Sequence, residues 1–257
     1  MTDALANEQD QEREQGGRRR TRGLLIVAAA AVIVLWQLPH GRQILYPLSL
    51  LATYAHEMGH GLTALVAGAE FEKLLIYPDG SGLAYWRGDV GRWARALVAA
   101  GGLVGPSVAG ATILIISRRE RRARALLLVL GVLMSASALL VVRNVFAWIF
   151  VLAWSAAFVA AWRFLPARAA AFVAQLAGVV LCLALFQDLS YMFSPGGIVD
   201  GTPRPSDSMA IADALLLPYW FWGGLVALFS LGVLAGGLWW ALRGEAPDPQ
   251  LSGPPVR

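Results

Sequence analysis

Long apolar runs separated by short polar breaks organise this chain, at about 23–38, 44–67, 94–117, 125–142, 145–162, 169–193 and 211–242. A helix needs roughly 20 residues to cross the hydrocarbon core of a bilayer, and most of the runs reach that length with their flanking residues. The pattern predicts an all-α integral membrane protein, a polytopic bundle of six or seven transmembrane helices. Only Arg143 and Asn144 divide 125–142 from 145–162, so that pair is the least sharply defined. The first run leads into Pro39-His40-Gly41-Arg42 rather than a small-residue cleavage site, and reads as an uncleaved anchor. The expected organisation is a disordered polar tail at 1–22, a membrane domain at 23–243 and a disordered tail at 244–257.

Two polar stretches interrupt the bundle. Residues 68–93 contain strand formers from Phe71 to Tyr77, then the turn signal Pro78-Asp79-Gly80-Ser81-Gly82, then Leu83-Ala84-Tyr85-Trp86. That order predicts a small β-hairpin inserted after the second apolar run. The other stretch, 194–210, carries Pro195, Gly196, Gly197, Gly201, Pro203 and Pro205 and reads as an irregular loop.

Composition agrees with a membrane protein: 57% of residues are hydrophobic and 15% charged, against roughly 45–50% and about 25% in soluble domains. The single cysteine, Cys182, excludes a disulfide framework or a cysteine-based zinc ribbon. A net charge of +4 does not point to nucleic acid, because the arginines cluster at the ends of apolar runs. Arg18, Arg19, Arg20 and Arg22 precede the first run, and Arg118, Arg119, Arg121, Arg122 and Arg124 follow the third. Both clusters favour the cytoplasmic face, yet three full spans between them would separate them. A re-entrant segment, a translocated N-terminal tail or an exception to the rule is therefore required.

The chemistry concentrates in His56-Glu57-Met58-Gly59-His60, inside the second run. Histidines four apart on a helix lie one turn above each other and point the same way. Such a pair can reach one tetrahedral zinc at about 2.0–2.1 Å. Glu57 falls about 100° further round the helix, placed to act as a general base without ligating the metal. This is the H-E-x-x-H pattern of zinc hydrolases. Two histidines and a glutamate in mid-span cost several kcal/mol unless partnered, and so mark a functional site. His40, the third histidine, sits in a Pro-His-Gly turn at a membrane boundary and reads as an interfacial residue.

Tyr54-Ala55-His56-Glu57-Met58-Gly59-His60-Gly61-Leu62-Thr63-Ala64-Leu65 resembles the zinc-binding helix of the site-2 protease family of intramembrane metalloproteases, in a divergent bacterial-type branch. The hairpin-like segment after it and Ala99-Ala100-Gly101-Gly102-Leu103-Val104-Gly105-Pro106 at the start of the next span agree with that family. The resemblance covers about 43–115 well and the last two spans more loosely. It implies a third zinc ligand, an aspartate from a later span, but the family's Asn-Pro-rich stretch ending in Asp-Gly is missing from the spans here. We take Asp188 as that ligand, with Asp207 and Asp200 as alternatives, or none of the three. By rise per residue, His56 to His60 lie about 18–24 Å into their span and Asp188 about 28 Å into its own. The depths match within several Å if the two spans run in the same direction and miss by more than about 10 Å if they do not. Asp200-Gly201 copies the family's pair but sits where such pairs make turns. Ser206-Asp207-Ser208 resembles an element before the last span of a divergent branch, or is a helix N-cap. An intramembrane Asn in the family orients water or substrate; Asn144 here reads instead as the turn between two spans.

The resemblance implies a zinc metalloendopeptidase that cleaves membrane-spanning proteins, single-span substrates such as anti-sigma factors or signal-peptide remnants, within the lipid bilayer of the plasma membrane. Its cofactor would be Zn2+, held by His56, His60 and Asp188, with Glu57 as catalytic base. No nucleic-acid partner is expected. The alternative is a non-catalytic metal-binding scaffold or transporter that kept the motif helix.

Overall fold

The computed structural model describes residues 26, 29, 30, 32–35 and 37–242. The two polar tails and part of the first apolar run lie outside these residues. The order of elements is α1 (Gly41–Val66), β1 (Glu70–Ile76), β2 (Gly82–Arg87), α2 (Arg92–Ile116), α3 (Glu120–Leu140), α4 (Val145–Phe164), α5 (Ala167–Met192), β3 (Gly196–Val199), β4 (Thr202–Pro205), α6 (Asp207–Leu215) and α7 (Tyr219–Leu242). Among the described residues five helices are long and apolar enough to cross a membrane: α2, α3, α4, α5 and α7. Helix α1 has the length, 26 residues, but Ser49, Thr53, His56, Glu57 and His60 dilute its apolar character. Large side chains such as Val132, Leu133 and Leu139 on α3, Ile149 on α4 and Leu228 and Phe229 on α7 stand exposed. An exposed apolar belt of that extent fits lipid, not water.

The predicted single run at 211–242 is two helices. Leu216 takes a left-handed conformation (φ 73°) and Pro218 follows, so α6 stops and α7 starts afresh. The uncertain pair at 125–162 is resolved as α3 and α4.

Helices α1 and α2 cross antiparallel through small residues. A Cβ on Gly59 would come within 2.2 Å of the Gly101 carbonyl oxygen, one on Gly101 within 2.2 Å of Thr63 Oγ1, and one on Gly105 within 2.8 Å of the Ala55 carbonyl oxygen. Backbones approach this closely only where side chains are absent. Helices α1 and α5, by contrast, run in the same direction: Leu45 packs with Val180 and His56 stands beside Tyr191.

Strands β1 and β2 form the expected hairpin, which does not project from the bundle but folds back along α1. Tyr46 Oη donates to the Pro78 carbonyl (2.7 Å) and Thr53 Oγ1 to that of Gly80 (2.9 Å). At its turn, Ser81 donates from its backbone and its hydroxyl to Asp79 Oδ1, holding that carboxyl below its usual range. The far edge of β1 is bound to the α3–α4 connection: Leu74 N–H donates to Val141, and Arg143 N–H to Leu74. Asn144 takes part as well, accepting from Ile76 N–H (3.3 Å) and donating to the Ile76 carbonyl (2.6 Å). The expectation that Asn144 only makes a turn is therefore corrected, since its side chain supplies the amide pairing that β1 lacks on that side.

The stretch 194–210, expected to be irregular, contains a second hairpin. Val199 pairs with Thr202 across Asp200-Gly201, both with positive φ (48° and 71°), the signature of a two-residue primed turn. Asp200 is thus spent on the turn, and its N–H donates to Ser81 Oγ (3.3 Å) at the tip of the first hairpin.

Replacing Asn144 with Ala should strand both backbone groups of Ile76 in a half-buried place, at a cost of about 1–3 kcal/mol for each unsatisfied group. Thermal unfolding in detergent should show a lower midpoint than wild type, and the 70–87 segment should exchange its amide hydrogens faster.

Candidate metal centre

The two motif histidines stand where the spacing places them, on one face of α1, with both Nε2 atoms directed at the same point 3.1 Å apart. His60 Nδ1 lies 2.8 Å from the Val98 carbonyl oxygen. A carbonyl can only accept, so Nδ1 carries the proton and Nε2 presents a lone pair to the site. This outer hydrogen bond is the usual way a ligating imidazole is oriented. Gly102 makes room for the ring, because a Cβ there would lie 2.1 Å from His60 Nε2.

The third donor is Asp207. Its Oδ2 lies 3.0 Å from His56 Nε2 and its Oδ1 3.3 Å from His60 Nε2. His56, His60 and Asp207 form a group of possible metal ligands whose donor atoms fall within 4.8 Å of one another. Ligands at about 2.0–2.1 Å from a tetrahedral zinc are separated by roughly 3.3–3.4 Å, and the two histidine nitrogens (3.1 Å) and each of their nearest Asp207 oxygens stand at about that spacing. Two neutral imidazoles and a carboxylate are also a donor set that zinc accepts.

Asp188, taken from the sequence as the third ligand, is not brought into this group. The depth argument holds in its first half, since α1 and α5 do run in the same direction. Asp188 stands near the site but is not one of the grouped donors. The same offset, 135 positions, separates Leu45 from Val180 and His56 from Tyr191, which sets Asp188 level with Thr53, about 4.5 Å short of His56 along the axis. Asp200 is remote in another way, held in the exposed turn of the second hairpin.

The second hairpin is what delivers Asp207. The chain leaves α5 at Met192, runs out along β3 and returns along β4 to where it started. Ser206 closes the loop: its N–H donates to Pro195 (3.2 Å) and its hydroxyl to the Ser194 carbonyl (2.6 Å). The same hydroxyl accepts from Met209 N–H (3.2 Å), which caps α6. Asp207 is then the first residue of α6, where a carboxylate is favoured by the helix dipole. Its Ser-Asp-Ser setting was visible in the sequence; its approach to α1 was not.

Glu57 is 6% exposed and packs against the first hairpin beside the donor group. A Cβ on Gly82 would come within 2.6 Å of Glu57 Cγ and 2.8 Å of Oε1, so glycine is needed at that place in β2. The Ala84 N–H is directed at the Glu57 carboxylate. Strand pairing explains this. Leu74 spends its backbone groups on 141 and 143, so its partner Ala84 is not bonded to it and turns its own backbone groups to the opposite edge, towards α1.

A family model described as Peptidase M50B-like matches residues 24–237. The chain belongs to that family, the site-2 protease family. No curated protein and no solved structure matches it. As an M50B-like protein it is a peptidase by family and a multi-pass membrane protein by its helices. The family is zinc-dependent, and the His56, His60 and Asp207 group could hold a metal ion.

Metal analysis of detergent-purified protein should find about one zinc per chain, a closed structural-type set being unnecessary for a three-ligand site. His60→Ala and Asp207→Asn should each lose it, and Asp188→Ala should keep it.

Proposed function

We propose that this M50B-like protein is an intramembrane zinc metalloendopeptidase, with His56, His60 and Asp207 holding the metal and Glu57 as the general base. The observation that carries the reading is the convergence of three donors from α1 and α6 beside a buried glutamate that does not join them. A zinc ion there would supply Lewis acidity, lowering the pKa of a water and polarising a carbonyl.

The chain's own residues account for the rest of the hydrolysis. Glu57 takes a proton from water as its oxygen bonds to the carbonyl carbon. It then returns that proton to the amide nitrogen as the C–N bond breaks, leaving a carboxylic acid, which keeps the second water proton until it ionises, and an amine. The Ala84 N–H can hold the carboxylate in position between the two transfers. His60, pinned through Nδ1 to Val98, cannot turn away during the cycle.

A transmembrane substrate hides its amides in helical hydrogen bonds, so the segment to be cut must first unwind. The edge of β2 away from β1 offers the Gly82 backbone groups and the Ala84 carbonyl next to Glu57, and an extended substrate could add there as a further strand. Single-span membrane proteins of the plasma membrane are the substrates that the family likeness and this edge favour. The scaffold or transporter reading drew its support from an uncertain third donor, and Asp207 argues against it. A site that only holds metal also has no need of Glu57.

In an assay with single-span peptides in detergent or bilayers, Glu57→Gln should keep its zinc and lose cleavage by about 10²- to 10⁴-fold, the usual contribution of a general base. Cleavage at the wild-type rate by a metal-loaded Glu57→Gln protein would overturn the assignment.

A further inference from the structure

The donor group and Glu57 supply no hydrogen-bond donor to the scissile carbonyl. As the carbonyl carbon is attacked, its oxygen gains negative charge, and a nearby hydrogen-bond donor stabilises that charge more than it stabilises the substrate. Imidazole Nε2 atoms with lone pairs turned inward and two carboxylates offer acceptors, not donors.

Tyr191 stands beside His56. It sits in the last turn of α5, its ring edge-on to that of His56 with centroids 6.5 Å apart and planes at 69°. Glu57 faces β2, whereas Tyr191 arrives from α5, so base and phenol approach the histidines from different elements. The backbone N–H of Asp207 is directed at the phenolic oxygen. The start of the second hairpin backs the ring, because a Cβ on Gly197 would lie 3.3 Å from Tyr191 Cε2 and 3.6 Å from Cδ2. Among the described residues no hydrogen bond takes up the phenol proton. A half-buried hydroxyl held by its neighbours with its proton uncommitted is a preorganised donor.

We propose that Tyr191 is a catalytic residue whose hydroxyl donates a hydrogen bond to the oxyanion formed on the scissile carbonyl. The inference rests on the peptide hydrolysis proposed above. When water oxygen bonds to carbon, the carbonyl π pair moves onto oxygen and accepts from the Tyr191 O–H. When the C–N bond breaks, that pair returns, the nitrogen leaves with the proton carried by Glu57, and Tyr191 keeps its own proton throughout.

The test is Tyr191→Phe, with zinc content, steady-state kinetics on a single-span peptide that the wild type cleaves, and binding of a phosphinic peptide built on that cleavage site. The tetrahedral phosphinate copies the attacked carbonyl. Zinc per chain should stay at the wild-type value, KM should change by less than about twofold and kcat should fall by about 10²- to 10³-fold, as when one oxyanion donor is removed. Introduced into Glu57→Gln, the same change should weaken phosphinic-peptide binding while leaving binding of the uncleaved substrate peptide unaltered. Loss of zinc in Tyr191→Phe would overturn the proposal in favour of a phenol that only orients Asp207. An unchanged kcat, or equal weakening of substrate and phosphinate, would overturn it too. If Glu57→Gln itself cleaves normally, the hydrolysis reading falls first and the tyrosine proposal with it, which separates that failure from the others.

Discussion

A charged and hydrogen-bonding cluster buried in an apolar bundle must be partnered from within the protein, because the surroundings offer it nothing. His56, Glu57 and His60 impose that demand on every neighbour of α1. Helix α2 meets it with the Val98 carbonyl and with glycines that let the backbones close in. The first hairpin meets it with Gly82 and the Ala84 N–H, and the start of α6 with the Asp207 carboxylate. Each of these contacts comes from a different element, so the site and the packing of the bundle are one problem.

The two hairpins solve it in related ways. Each leaves the end of a helix, turns back along the bundle and places a polar group against α1 that no spanning helix could supply at that depth. Their turns touch through Asp200 and Ser81. The first is stiffened from behind by Leu74, Ile76 and Asn144, which give β1 a second neighbour and leave β2 as the open edge. On the second, Pro203 and Pro205 lie in the outer strand, where they cannot donate to a further strand.

The membrane class, the motif pair and the first hairpin were all legible in the sequence, and for one reason. Apolar run length, the spacing of four between His56 and His60, and a turn signal between two strand-forming stretches are local properties that survive any tertiary arrangement. Asp200-Gly201 was readable on the same terms, as a turn, and it is one. One local signal was passed over: 211–242 was read as a single apolar run, yet Pro218 and a left-handed Leu216 divide it.

What the sequence by itself determined was therefore the kind of protein and two of the three residues grouped as possible metal ligands. The third belonged to the tertiary structure. Choosing between Asp188 and Asp207 required the offset between α1 and α5, which no residue encodes locally, and the reach of a hairpin that returns its chain to the end of the helix it left. Asp207 stands 151 positions from His56. Over such a separation only the packing of intervening helices sets the distance, and the same packing alone brings Asn144 to Ile76 and Tyr191 to His56.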